Sequence, residues 1–146
     1  MPTLISLPAF QLYAICSSIL ILSLYGLGFF TAKLRNDRKL VVNHEDVIMN
    51  GNAKLVDTEH SDVLRVKRAH LNALENAVPF FVIGFIYTQT NPSLLMVQIL
   101  FFTFVAARLL HAFFYVIARQ PFRTLMFALG TIVNITMVVQ VIRALI

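Results

Sequence analysis

The chain has 146 residues, of which 58% are hydrophobic and only 13% charged, and its mean hydropathy is +0.77. A soluble domain of that size has too little interior to hide so much apolar surface, and the apolar residues fall in long runs, so the sequence predicts an all-α membrane protein and excludes a disordered tail, a disulfide scaffold and a β-barrel. The net charge of +5 does not point to nucleic acid, because the basic residues gather at the ends of apolar runs instead of forming an exposed stripe.

The first predicted span, Ala9 to Ala32, is 24 residues without a charge, enough to cross a hydrocarbon core of roughly 30 Å at about 1.5 Å per residue. No Lys or Arg occurs before Lys33, so the segment is expected to stay in the mature protein and not to be removed as a signal peptide. Cys16 inside it has no second cysteine to pair with and reads as packing. Gly26 and Gly28, like Gly84 further on, are expected to let helices approach closely.

A polar connection follows from Lys33 to Asp62, with five basic and six acidic residues and the turn signal Asn50-Gly51-Asn52. The second span, about 62 to 90, carries Arg65, Lys67, Arg68, His70 and Glu75 in its first half and only neutral residues afterwards. Asn91-Pro92-Ser93 ends one helix and starts the next, with Pro92 suited to a first turn and Asn91 or Ser93 to a cap. The third span, about 93 to 119, is interrupted chemically by Arg108 and His111, and its Phe101 to Phe104 cluster reads as lipid-facing or packing. Pro121 marks a tight turn, and Thr124 to Ile142 gives 19 uncharged residues for a fourth span, about 122 to 145. Residues 1–146 thus form a single domain, a four-transmembrane-helix bundle.

Eleven of the twelve Lys and Arg residues lie in or near the first connection or the one after the third span, and only Arg143 lies at the other end. By the positive-inside bias, both connections and any site at their level should face the cytoplasm, with the termini on the outer or lumenal side.

Charged residues inside spans are expensive, so they usually face the bundle interior, pair, and mark function. Arg68, Asn72 and Glu75 are spaced by four and three, which places them on one helical face, with Arg65 near its edge; Arg108, His111 and Tyr115 have a three-then-four spacing. Antiparallel helices bring the start of the second span and the end of the third to the same membrane face, so the two stripes should meet in a site rich in cations and donors. That inventory suits a small anionic or zwitterionic ligand, because Arg grips carboxylates bidentately and Glu75 can take an ammonium. The structural alternatives are an intramembrane Arg68–Glu75 pair, packing roles for His70 and His111, and snorkelling for Arg65, Lys67 and Arg119. No second His or Cys stands at metal-ligand spacing from His111, so no metal is expected. A small multidrug exporter would need a carboxylate in the first span, which the run from Ala9 to Ala32 lacks.

Arg68-Ala69-His70-Leu71-Asn72-Ala73-Leu74-Glu75-Asn76, followed by Pro79-Phe80, resembles the signature of the membrane-associated proteins in eicosanoid and glutathione metabolism, the MAPEG family, and is nearest to its microsomal glutathione transferase branch. Asn43-His44-Glu45-Asp46, the Arg108 to Tyr115 segment and Arg123-Thr124 resemble three further motifs of that family, and the likeness covers about residues 9 to 145. The resemblance implies a homotrimer with glutathione as co-substrate, bound between neighbouring subunits near the cytoplasmic side. It implies that Arg35, Arg68, Asn72, Glu75, Arg108, His111, Tyr115 and Thr124 line the glutathione site, that Arg123 stabilises the thiolate, and that Asp46 orients Arg123. The activity implied is conjugation to a hydrophobic electrophile arriving from the membrane lipid, with reduction of lipid hydroperoxides as a further activity. The alternatives within the family are a glutathione-dependent prostaglandin isomerase and a non-catalytic lipid-binding scaffold. Leu71, Thr124 and Phe127 stand where the isomerase subgroup has Arg, Ser and Tyr, His44 replaces a usual proline, and Ala73 replaces a common aspartate. These departures favour the transferase branch, and Arg123 argues against the scaffold.

Overall fold

The computed structural model describes residues 4, 7–49, 51 and 53–146. In chain order the elements are α1 (Pro8–Arg38), β1 (Leu40–Val41), α2 (Asp46–Met49), β2 (Lys54–Leu55), α3 (Ser61–Thr88), α4 (Leu94–Val116) and α5 (Gln120–Leu145). The four long helices are each long and apolar enough to cross a membrane, and the chain is a multi-pass membrane bundle.

Each helix starts and stops for a local reason. Pro8 opens α1 and Lys39, in the left-handed region at φ 49°, closes it. The 31 residues of α1, at about 1.5 Å each, reach about 46 Å, so its last turns stand clear of a core of roughly 30 Å. The His60 ring accepts the Asp62 amide at the start of α3, and Ser93 Oγ accepts the Met96 amide at the start of α4. Asn91 (φ 53°) and Ala118 (φ 58°) take left-handed conformations in the two tight turns between helices. Of the turn expected at Asn50-Gly51-Asn52, both asparagines lie outside the described residues; Gly51 is left-handed at φ 64°.

The polar connection has more structure than its hydropathy suggested. β1 and β2 pair in parallel, Leu40 opposite Lys54 and Val41 opposite Leu55, with α2 in the crossover that parallel strands require. Val41 and Ala53 are buried.

The main core is aromatic. Phe80 and Phe104 stack at 4.4 Å between centroids, and Phe101 meets Phe80 edge-on at 5.4 Å. Cys16 and Leu20 of α1 and Val133 and Met137 of α5 close around them. The phenylalanine cluster divides by helical spacing: Phe101 and Phe104 are fully buried, whereas Phe102 is half exposed. The glycines divide as well. A Cβ on Gly84 would lie 3.3 Å from the Tyr13 ring, a close helix approach, but one on Gly26 or Gly28 would meet nothing within 4 Å. The close contact expected at Gly26 and Gly28 is therefore absent among the described residues, and Gly28 instead lines an apolar cavity of about 530 Å³.

Candidate functional site

The two polar stripes meet where α3 and α4 pack. Arg108, almost fully buried, donates from Nη2 to the Asn72 side-chain oxygen at 2.8 Å and more weakly to the Asn72 carbonyl at 3.4 Å. Its Nε and Nη1 are buried with no hydrogen-bond partner, a costly state for a guanidinium unless something outside the chain meets it. Three residues not anticipated from the sequence shape this spot. Asn76 donates to the Asn72 carbonyl at 2.8 Å, Asn134 of α5 reaches the Asn76 carbonyl at 3.5 Å, and its own oxygen stays unpaired. Gly130 makes room: a Cβ there would stand 3.2 Å from Arg108 Cδ. Asn76 was legible as the residue one turn beyond Asn72, and Asn134 as a lone amide within an uncharged run; Gly130 carries no signal without the helix packing.

One turn along α4, His111 is equally buried, with Nδ1 2.9 Å from the Arg123 carbonyl oxygen. A carbonyl only accepts, so Nδ1 holds the proton and a neutral ring leaves Nε2 as an acceptor, buried and without a partner. The Tyr115 ring lies edge-on to His111 at 5.7 Å and carries the Arg123 guanidinium over its face at 4.5 Å. Arg123 sits in the first turn of α5, where the helix dipole adds to its positive charge.

Five expected site residues (Asn72, Arg108, His111, Tyr115 and Arg123) are thus gathered in one chain. Arg68 and Glu75 share the Asn72 face of α3 but are exposed, and among the described residues no ion pair joins them, which removes the reading of Arg68–Glu75 as a structural pair within the chain. Pro79 lacks an N–H, so the Glu75 carbonyl also loses its helical donor. Thr124 is exposed at the start of α5.

Arg35 and Asp46 form a second grouping. They share a cleft of about 170 Å³ with Ala32, Val41 and Val42. Arg35 binds Glu59 through Nε at 2.6 Å and also through Nη2, and Lys67 holds the other Glu59 oxygen at 2.7 Å. Burial alone would raise the Glu59 carboxyl, yet the bonds from Lys67 and Arg35 outweigh it and hold the group below the ordinary carboxylate range. Beside it, Asp62 takes Arg38 at 2.6 Å and Arg65 at 3.2 Å. Arg65 and Lys67, expected to snorkel, are therefore ion-paired. Glu59 escaped the sequence reading because its partners lie 24 residues before it and 8 after it, at no helical spacing.

The apolar cavity lies between α1 and α3, lined by Tyr25, Gly28, Phe29, His70 and Leu74 among others. By helical spacing, His70 and Leu74 stand on the side of α3 opposite Arg68, Asn72 and Glu75. Among the described residues no cluster of three or more His, Cys, Asp or Glu side chains could hold a metal ion.

The arrangement is chemically suited to an anion: three arginines, amide and phenol donors, and a single carboxylate. Residues 13–143 match the model of the MAPEG family. The chain is 38% identical over 142 residues to microsomal glutathione S-transferase 1 of Rattus norvegicus, covering 94% of this chain and 90% of the relative. It is 36% identical over 139 residues to the protein of that name from Sus scrofa, covering 92% and 90%. Prostaglandin E synthase of Macaca fascicularis is 28% identical over 138 residues, covering 94% and 90%.

Proposed function

Because this chain belongs to the MAPEG family, we propose that it is a membrane-bound glutathione transferase, acting as a homotrimer and conjugating glutathione to hydrophobic electrophiles. The observation that carries this reading is the Arg108 guanidinium, buried with two nitrogens unpaired beside Asn72, His111 and the Tyr115–Arg123 pair. Glutathione offers two carboxylates, an ammonium and a thiol. Arg35, Arg68 and Arg108 take the carboxylates, Glu75 the ammonium, and Asn72, His111, Tyr115 and Thr124 complete the enclosure.

Arg123 faces the sulfur. A thiol of pKa about 8.5 is mostly protonated at neutral pH, and a neighbouring guanidinium at a helix start favours the nucleophilic thiolate. The thiol proton leaves to solvent, the sulfur lone pair forms the new S–C bond, and the electrophile's leaving group departs with the old bonding pair. With a lipid hydroperoxide the O–O bond breaks instead, and two glutathiones become the disulfide while an alcohol and water form.

The exposed positions of Arg68 and Glu75 and the separate grouping of Arg35 with Asp46 support a site closed by a neighbouring subunit, with Asp46 orienting Arg123 across the boundary. The open apolar cavity along α1 supports delivery of the second substrate from the bilayer. The concentration of Lys and Arg at this end of the bundle supports a cytoplasmic site and termini on the outer or lumenal side. A second reading, a glutathione-dependent isomerase, is favoured by the similarity to prostaglandin E synthase over 94% of the chain. Turnover of glutathione by detergent-purified protein with a halogenated nitroaromatic, a lipid hydroperoxide and a cyclic endoperoxide separates the readings. Conjugate formation supports the transferase, endoperoxide rearrangement alone supports the isomerase, and no turnover with any of the three contradicts both.

A further inference from the structure

Glu59 is the most deeply buried carboxylate among the described residues outside the spans, with its side chain 6% exposed. It is not needed merely to tie α1 to α3, since Asp62 already joins those same helix ends through Arg38. Both bonds from Arg35 go to one Glu59 oxygen, and Lys67 takes the other. The Nε–Nη2 edge of Arg35 is thereby fixed, and among the described residues no hydrogen bond uses its Nη1. Two cations and one carboxylate leave the cluster with a net positive charge, and Arg35 keeps access to the cleft it shares with Asp46.

We propose that Glu59 is a positioning residue for glutathione binding, locking one edge of Arg35 so that its remaining amino group meets a ligand carboxylate already ordered. This rests on the reading of Arg35 as a glutathione ligand. Lys67 has a second role in the arrangement: it holds and neutralises the far oxygen of Glu59, so the carboxylate steadies Arg35 without repelling an anion strongly. An Arg freed from Glu59 would have to be ordered by the ligand itself, which weakens binding by about 3- to 10-fold for one long side chain.

The test is a double-mutant cycle on the detergent-purified full chain. It reads the glutathione dissociation constant by calorimetry and kcat with a halogenated nitroaromatic at saturating glutathione. Glu59→Gln should raise the dissociation constant about 3- to 10-fold and leave kcat within about twofold. In an Arg35→Ala background the same change should add less than about twofold, because Glu59 acts only through Arg35. An equal effect in both backgrounds would overturn the proposal, as would tighter binding in Glu59→Gln, which would make the carboxylate a competitor of the ligand. Should Glu59→Gln fail to assemble, Glu59→Asp keeps the charge but is too short to bridge both cations, and the same criterion applies to it. Absence of saturable glutathione binding in the wild type would remove the functional reading and this inference together; saturable binding with no coupling to Arg35 removes this inference alone.

Discussion

Two regions of the molecule hold most of its charge, and they treat it in opposite ways. Where the end of α1 meets the start of α3, two acidic side chains bind two cations each: Glu59 with Arg35 and Lys67, Asp62 with Arg38 and Arg65. Some two turns deeper along α3 and α4, Arg68, Arg108 and Arg123 stand with the single carboxylate Glu75, and among the described residues no ion pair forms there. Paired charges at the water-facing end fix geometry, that of Arg35 included. Unpaired charges and orphaned donors at membrane depth are unfavourable unless a ligand or a second subunit answers them. That contrast divides the residues that mainly build from those that bind, with Arg35, proposed as a glutathione ligand, belonging to both groups.

Removing groups from the unpaired region should sharpen the contrast most. Arg123→Ala is expected to lower conjugation by about 10²- to 10³-fold, as loss of one preorganised charge-stabilising group does, while glutathione affinity stays within a few-fold. The ultraviolet absorbance of bound thiolate, followed against pH, checks it; Arg123→Lys should recover part, lacking the planar fork. Wild-type thiolate signal and turnover in Arg123→Ala would move the role to Arg35 or Tyr115.

Next in size are Arg68→Ala and Glu75→Gln. Both side chains are exposed in the single chain, so the folded oligomer should persist by native mass spectrometry while glutathione binding weakens about tenfold, the loss of one charge-assisted contact. If the oligomer is lost but residual trimer binds normally, these residues belong with the structural pairs. Asn72→Ala removes the shorter of the two hydrogen bonds that Arg108 makes among the described residues, the one to the Asn72 side-chain oxygen, and should do both things at once. Thermal unfolding should reveal a loss of about 1 to 3 kcal/mol for the stranded buried donor, together with weaker glutathione binding.

The paired region should respond to pH. The Glu59 carboxyl is held below its ordinary value, so its contribution to stability is fully present above the ordinary carboxylate pKa, about 4.3, and is lost as pH falls through the lower folded value. Arg35 and Lys67 face Glu59 directly, with His60, Asp62, Arg38 and Arg65 beside it. Hydrogen exchange across residues 40–49 and 53–60 should be slow at neutral pH and quicken in mild acid, whereas the core around Phe80 and Phe104 should not change. Equal quickening in Glu59→Gln would show that Glu59 is not the source of the effect.

What the sequence revealed follows the same division. Spans were legible because hydropathy is a local property, and Asn72 and Arg108 could be brought together from helical spacing and antiparallel packing alone. The ion-pair junction was not, because Glu59 finds partners at no regular spacing. The first helix runs to Arg38, past the end of its apolar run, since helix formation does not require apolar residues outside the membrane. Gly26 and Gly28 misled because a glycine signals only that space exists: the space at Gly28 is a cavity and that at Gly26 is open, with no close helix contact at either.

The central claim, that the unpaired stripe is a glutathione site, is tested most directly by calorimetric titration of glutathione into the detergent-purified protein and into its Arg68→Ala/Arg108→Met double variant. The account predicts saturable binding by the wild type and its loss in the variant at matched oligomeric state. Equal binding by both, or no saturable heat from the wild type, would contradict it.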